Sequence, residues 1–261
     1  MNGETVRVEV DKRGVATVTL NRPEHGNAYD ADMLDELAAA FARLGADAGV
    51  RVVLLRAKGR HFCVGADLKA AASSGHGSAG NPRTGLVDVC LALDRLPKPT
   101  VAVVRGGCIG GGAAVAACCD IVLAERDAFF SIPEVRLGFA PAPLVPVFVR
   151  AIGARVLRRF AQTGERFSLD DALRMGLVHR ATEPGGTEAA LATIIDDLLL
   201  GAPGALAELK AVIGRVEGLP VTRDLLAELQ GGFDRAHASA EAQEGRAAFR
   251  EKRKPDWYPE S

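Results

Sequence analysis

What this chain lacks narrows its possibilities before any motif is read. It carries no excess of either charge, since 32 Lys and Arg stand against 33 Asp and Glu, a formal net charge of −1. Nothing global therefore draws it to nucleic acid or to an anionic membrane, although a local basic patch can still take a phosphate-rich small molecule. It has no uninterrupted apolar run near the roughly 20 residues that a membrane helix requires, and no N-terminal apolar run behind a basic segment. The expectation is a cytoplasmic protein with no membrane or nucleic-acid partner. Cysteine is also scarce. Cys63, Cys90, Cys108, Cys118 and Cys119 are odd in number and lie among apolar neighbours, which argues against a secreted disulfide framework. The adjacent pair Cys118-Cys119 lacks metal-ligand spacing, so buried free thiols and no metal site are predicted. Residues 71–85 are rich in Ser and Gly but contain no G-x-S-x-G, so a nucleophile elbow is unsupported and a mobile loop is expected there.

What remains is an ordinary globular composition, 48% hydrophobic and 25% charged over 261 residues, enough for one large domain with a small appendage. Val6-Arg7-Val8-Glu9-Val10 and then Ala16, Val18 and Leu20 alternate about a turn ending at Gly14, which predicts a hairpin. Asp30 fits a helix N-cap before Leu34, Leu37, Phe41 and Leu44 at helical spacing. Val52-Val53-Leu54-Leu55 reads as a strand covered on both faces. The pattern recurs: a helix through Leu86, Val89, Cys90 and Leu93, a strand over Thr100–Val104, a glycine-rich turn, a small-residue helix and a strand over residues 120–123. Strand, turn and helix in repeated order imply an α/β fold of parallel units. Ser168 before Asp170 and Asp171 marks another helix start, and apolar stripes then make the last third helical. A soft boundary falls at Gly201-Ala202-Pro203. It separates an α/β domain over 1–200 from a helical segment over 201–261, whose apolar faces suit packing on a neighbouring subunit.

Two glycine-rich turns follow predicted strands. One spans residues 59–69 and includes Phe62-Cys63-Val64-Gly65-Ala66-Asp67-Leu68-Lys69. The other is Gly106-Gly107-Cys108-Ile109-Gly110-Gly111-Gly112, opening the small-residue helix. A helix start leaves N–H groups unpaired, and glycine lets another group approach that backbone closely. Two such turns facing one another suit an oxygen that gains negative charge. Neither turn fits G-x-x-x-x-G-K-[ST] or G-x-G-x-x-G, which disfavours nucleoside-phosphate and dinucleotide sites at these positions.

Together with Asn21-Arg22-Pro23, Asn27-Ala28, Lys98-Pro99, Cys119-Asp120, Pro133-Glu134, Gly176-Leu177-Val178 and residues 248–255, these turns stand in the order of a known family. The chain resembles the enoyl-CoA hydratase/isomerase (crotonase) family along nearly its whole length. The resemblance implies the crotonase (ClpP-like) ββα superhelix with a helical C-terminal segment, and a homotrimer or dimer of trimers. It implies an acyl-CoA substrate and no cofactor, coenzyme A being part of the substrate. Two oxyanion-hole N–H donors map onto Ala66 and Gly111, and losing one such donor typically costs roughly 3–4 kcal/mol of transition-state stabilisation. Arg22, Ala28 and Lys69 fall in the CoA-binding set, with Arg22 and Lys69 where the phosphates pass. Phe233 and Lys252 correspond to positions that meet the adenine end, often from a neighbouring subunit.

The family's hydratases typically use two glutamates. Glu134 matches one, whereas Ala114 stands where the other is usual. Glu134 follows an apolar stretch, which can raise a carboxyl pKa toward the range where it exchanges protons near neutrality. Hydration of an enoyl-CoA on one carboxylate is the favoured expectation. Δ3,Δ2-enoyl-CoA isomerisation with Glu134 as sole proton shuttle is the alternative, and an inactive acyl-CoA binder is the alternative of another class. The segment after Glu134 looks most like branched-chain, methylglutaconyl- or isohexenylglutaconyl-type hydratases. Their substrates carry a second carboxylate, for which Arg136 is the candidate cation.

Overall fold

A computed structural model describes residues 5–73 and 84–259. Strands β1 (Val6–Val10) and β2 (Val15–Leu20) form the expected antiparallel hairpin, pairing Val6 with Leu20 and Val10 with Ala16. Its turn is built by Asp11, whose carboxylate accepts from the N–H groups of Arg13 and Val15 at 2.9 Å. Gly14 closes it at φ +78°, where a side chain would run into the Gly49 carbonyl.

Helix α1 (Ala31–Ala46) starts at Asp30, whose side chain accepts from Met33 N–H, and buries Leu34, Leu37, Phe41 and Leu44. Strand β3 (Val52–Ala57) lies parallel to β2. Helix α2 (Leu68–Ser73) takes the first three residues of the predicted loop, so 71–73 are helical; residues 74–83 lie outside the described residues. Helix α3 (Leu86–Asp94) and strand β4 (Thr100–Val104) follow, then β5 (Gly107–Ile109) and helix α4 (Gly111–Ala117). Strand β6 spans Ile121–Glu125 and starts one residue later than predicted. Asp120 is taken instead by β4, where its carboxylate accepts from the Thr100 N–H and hydroxyl at 2.8 Å and pairs with Lys210 at 2.9 Å.

Strand β7 (Phe129–Ser131), helices α5 (Val145–Ile152) and α6 (Ala154–Thr163), strand β8 (Arg166–Ser168), helix α7 (Leu169–Met175) and strand β9 (Arg180–Thr182) complete the core. One sheet runs β1-β2-β3-β4-β6-β9 and a smaller one β5-β7-β8. Beyond the first hairpin, every pairing of the large sheet is parallel. The two sheets are threaded alternately. Strand β4 passes into β5 and then α4, and β6 passes into β7, while the segment after β3 touches the small sheet at a single Cys63–Cys108 bridge. This strand–strand–helix winding is the ββα superhelix.

Period-two alternation sorts the sheet's side chains onto two covered faces. Val53, Leu55, Ala102, Val104 and Val122 join the main core with α1, α3 and α4. Val52, Leu54, Val101, Val103 and Leu123 pack on the other face under Leu191, Ile195 and Leu199 of helix α8 (Thr187–Leu200). Fully burying each such Leu or Val contributes about 1.5–3 kcal/mol. All five cysteines are free and buried.

Helix α8 ends at Gly201, and α9 (Pro203–Val216) departs at 101° to it, so the predicted break is a sharp corner. Helices α10 (Arg223–His237) and α11 (Ala240–Glu251) follow, each capped by a hydroxyl, Thr222 and Ser239 respectively. Helices α9 and α10 bury no residue, and α11 buries only Ala248.

Candidate active site

The two glycine-rich turns are strapped to one another. Cys63 N–H donates to Gly107 O, and Ile109 N–H donates to Cys63 O at 2.9 Å. Gly112 stands so close that a Cβ there would lie 2.6 Å from the Cys63 carbonyl oxygen. In the first turn Gly65 adopts φ +100°. Tyr29 then clamps the turn as an isolated parallel bridge to Ala66, its N–H donating to Gly65 O and its carbonyl accepting from Asp67 N–H, both at 2.9 Å. That pairing turns the Ala66 N–H the other way, and it donates to no described residue. In the second turn Gly110 has φ 55° and ψ −123°, a conformation open essentially to glycine alone. Its N–H donates to Ser131 O, and Gly111 then opens α4 with an N–H that has no acceptor among the described residues.

Both free N–H groups border a cavity of about 380 Å³ whose wall is mostly apolar. Glu134 opens the short 3-10 turn Glu134–Leu137 after β7 and lines the cavity. It is 9% exposed, and its Oε2 has no hydrogen-bond partner among the described residues. Burial pushes its carboxyl above the ordinary value of 4.5, against the opposing pull of its own backbone N–H. A buried carboxylate with one oxygen free is poised to accept a proton, and one that shares a cavity with two free N–H donors can move that proton at a carbon next to a polarised carbonyl.

Arg136 does not pair with Glu134. Its guanidinium donates twice to Thr163 O, at 3.1 and 3.0 Å, so the structure corrects its candidacy as a pocket cation. Ala114 is fully buried in the main core and supplies no second acid. Arg22 also differs from expectation: its guanidinium is engaged with Asp30 and Asp67 at 3.1 Å and with the Ala28 carbonyl. Its charge is spent inside the protein, where it ties the Asn27–Asp30 segment to the Ala66 turn. Ala28 is buried and lends that carbonyl. Lys69 is exposed on α2, one turn past Ala66. Phe233 lies on α10 and Lys252 is the C-cap of α11, and the structure does not bring either to the wall of its own chain's cavity.

One residue at the site escaped sequence reasoning. Tyr29 lines the cavity, and its signal was only its place directly after Asn27-Ala28 in a chain with two tyrosines.

Residues 11–260 match the Enoyl-CoA hydratase/isomerase family, and the chain belongs to it. It is 31% identical to the enoyl-CoA hydratase ACTT6 of Alternaria alternata, covering 92% of this chain and 80% of that one. Among solved structures, an enoyl-CoA hydratase/isomerase from Marinobacter aquaeolei is similar at a TM-score of 0.90 and 31% identity, over 98% of this chain and 99% of that one. Pseudomonas aeruginosa AtuE is similar at 0.89 and 35%, over 98% and 100%. The fold is thus the crotonase fold, and the family's enzymes act on acyl-CoA substrates.

Proposed function

We propose that the chain adds water across the 2,3 double bond of an enoyl-CoA. The observation that carries this reading is the buried Glu134 carboxylate, whose Oε2 has no partner among the described residues, lining one cavity with the free N–H groups of Ala66 and Gly111. With the thioester oxygen on those two donors, the electrons displaced by attack at C3 collect on that oxygen as an enolate. Glu134 takes a proton from water as the water oxygen bonds to C3, then returns it to C2. Water's atoms are all accounted for, and no oxidant or reductant is needed, so the reaction calls for no cofactor beyond the coenzyme A of the substrate.

A second reading has its own observation. With Ala114 sealed in the core, Glu134 is the single carboxylate among the described residues lining the cavity, and moving a proton from C4 to C2 needs one base. Hydration is preferred because the similar ACTT6 is named a hydratase. A carboxylated branched-chain substrate draws no support from Arg136, which is bound to Thr163. Assembly as a homotrimer or dimer of trimers, with Phe233 and Lys252 meeting the nucleotide end of a substrate in a neighbouring subunit, completes the proposal.

Crotonyl-, 3-hexenoyl- and 3-methylglutaconyl-CoA distinguish the readings through the conjugated enoyl absorbance. Its loss from crotonyl-CoA with water uptake supports hydration. Its gain from 3-hexenoyl-CoA supports isomerisation, and loss confined to 3-methylglutaconyl-CoA restores the branched-chain substrate. Tight CoA-ester binding without any change points to the inactive binder.

A further inference from the structure

Glu134 is not the only polar side chain of the cavity. The Tyr29 ring reaches from the Ala66 turn, to which its backbone is bridged, across to the start of α4. A Cβ placed on Gly111 would lie 2.8 Å from the ring carbon Cε1 and would meet the hydroxyl oxygen closer still. One residue therefore touches both turns that carry the free N–H groups. Its hydroxyl has no hydrogen-bond partner among the described residues, and the ring is partly buried with Leu86 also beside Gly111. Tyr29 lines the cavity, so a hydroxyl without a protein partner there is left to bond with whatever the cavity holds.

The backbone that aims this ring is strongly determined. Asn27, two residues earlier, is fully buried at φ 55°. Its amide donates to the carbonyls of Lys58 and His61 and accepts from Arg22 N–H. Arg22 then holds Ala28 O and Asp30, on either side of Tyr29. Such over-determination is what holds a catalytic donor without reorganisation. Burial, and then the neighbouring Cys63 and Glu134, push the phenol pKa upward, so the hydroxyl keeps its proton at neutral pH.

We propose that the Tyr29 hydroxyl is a third hydrogen-bond donor to the thioester oxygen, acting beside the N–H groups of Ala66 and Gly111 as negative charge develops there. This assignment rests on the enolate chemistry proposed above. It adds a side-chain donor to a pair made of backbone alone, and so one that substitution can remove without touching the main chain.

The test compares the full-length wild type with Tyr29→Phe, which keeps the ring. With crotonyl-CoA, or 3-hexenoyl-CoA if that is the ester turned over, kcat should fall on the order of 10²-fold with KM within about threefold, the pattern of a bond made mainly in the transition state. Acetoacetyl-CoA should bind the wild type as its enolate, seen by its ultraviolet band. Tyr29→Phe should lose that band while its affinity for saturated butanoyl-CoA stays within about threefold. A variant that matches wild type in kcat and in the enolate band overturns the assignment and leaves the enolate chemistry standing. A wild type that neither turns over a thioester nor forms the enolate overturns both. Should Tyr29→Phe fail to fold, the wild-type acetoacetyl-CoA complex decides: a hydroxyl about 2.5–3.0 Å from the thioester oxygen supports the role, and one farther than about 4 Å removes it.

Discussion

Glu134 is held in a way that costs stability and serves chemistry. Its folded pKa is raised, so below the unfolded value both states carry the proton and nothing is lost. As pH rises through the folded value, the native state must ionise a desolvated carboxyl and gives up stability relative to the unfolded chain. Two outcomes follow for Glu134→Gln. Its kcat/KM should fall by about 10³-fold or more, because the one carboxylate among the described residues lining the cavity is gone. Its Tm at neutral pH should rise, by about 2–4 °C per kcal/mol relieved. For the wild type, kcat/KM should increase with pH through a midpoint above the ordinary carboxylate value; an acid limb at that ordinary value would show that burial is not shifting the working base. Arg22 gives the opposite balance. Arg22→Met should leave KM for a CoA ester nearly unchanged but cost about 1–3 kcal/mol in denaturant unfolding, below the 3–5 of a fully buried pair because Asp30 and Asp67 keep some solvent. A large rise in KM with unchanged stability would return Arg22 to the phosphate-binding role that the resemblance implies.

At the scale of elements, the geometry of the two N–H donors depends on how closely α4 lies on the Cys63 turn. Gly112 sets that distance, since a Cβ would lie 2.6–2.8 Å from the Cys63 carbonyl oxygen, Cβ and Sγ. Gly112→Ala should destabilise by about 1–3 kcal/mol through overpacking. It should also lower kcat on the order of 10²-fold, the scale of an ångström's misplacement at a reacting centre. A stable, fully active Gly112→Ala would show that the turns tolerate separation. The elements most legible in the sequence are those with one strong local cause. The Asp30 and Ser168 caps, the covered run Val52-Val53-Leu54-Leu55 and the strand Thr100–Val104 all appear where periodicity and capping put them. Three-residue strands such as β5, β7 and β8 carry too little alternation to be read, and they exist because a neighbouring strand supplies their partners. Asp120 looked like the start of a strand because its tertiary partner, Thr100, is twenty residues away. The same reason hid Tyr29: its importance comes from Gly111, far along the chain and invisible to spacing.

The whole molecule leaves a large apolar surface uncovered. Leu209 and Ile213 on α9, Leu226 and Phe233 on α10 and Phe249 on α11 are each more than half exposed in the single chain. Apolar faces of that extent mark contact surfaces. The proposed trimer should bury them, so Ile213→Asp should shift the light-scattering mass from an oligomer toward a monomer. If Phe233 and Lys252 serve a neighbour's site, the dissociated variant should also show a raised KM for CoA esters. A wild type that is monomeric at micromolar concentration would exclude this assembly.

Arg51, at the threshold of β3, donates to the carbonyls of Leu199, Gly201 and Trp257, and the Trp257 indole in turn donates to Leu200 O. The last described stretch of the chain is thereby fastened to a strand that emerges some two hundred residues earlier. During synthesis that guanidinium keeps part of its water until Trp257 has left the ribosome and completes its set of acceptors. The loop it closes is long but adds little entropy for its length, because closure cost grows only with the logarithm of chain length. The seam between sheet and tail is therefore a late event of maturation, and a nascent chain halted before Trp257 would carry a complete pair of glycine-rich turns inside a fold whose outer wrapping has not been latched.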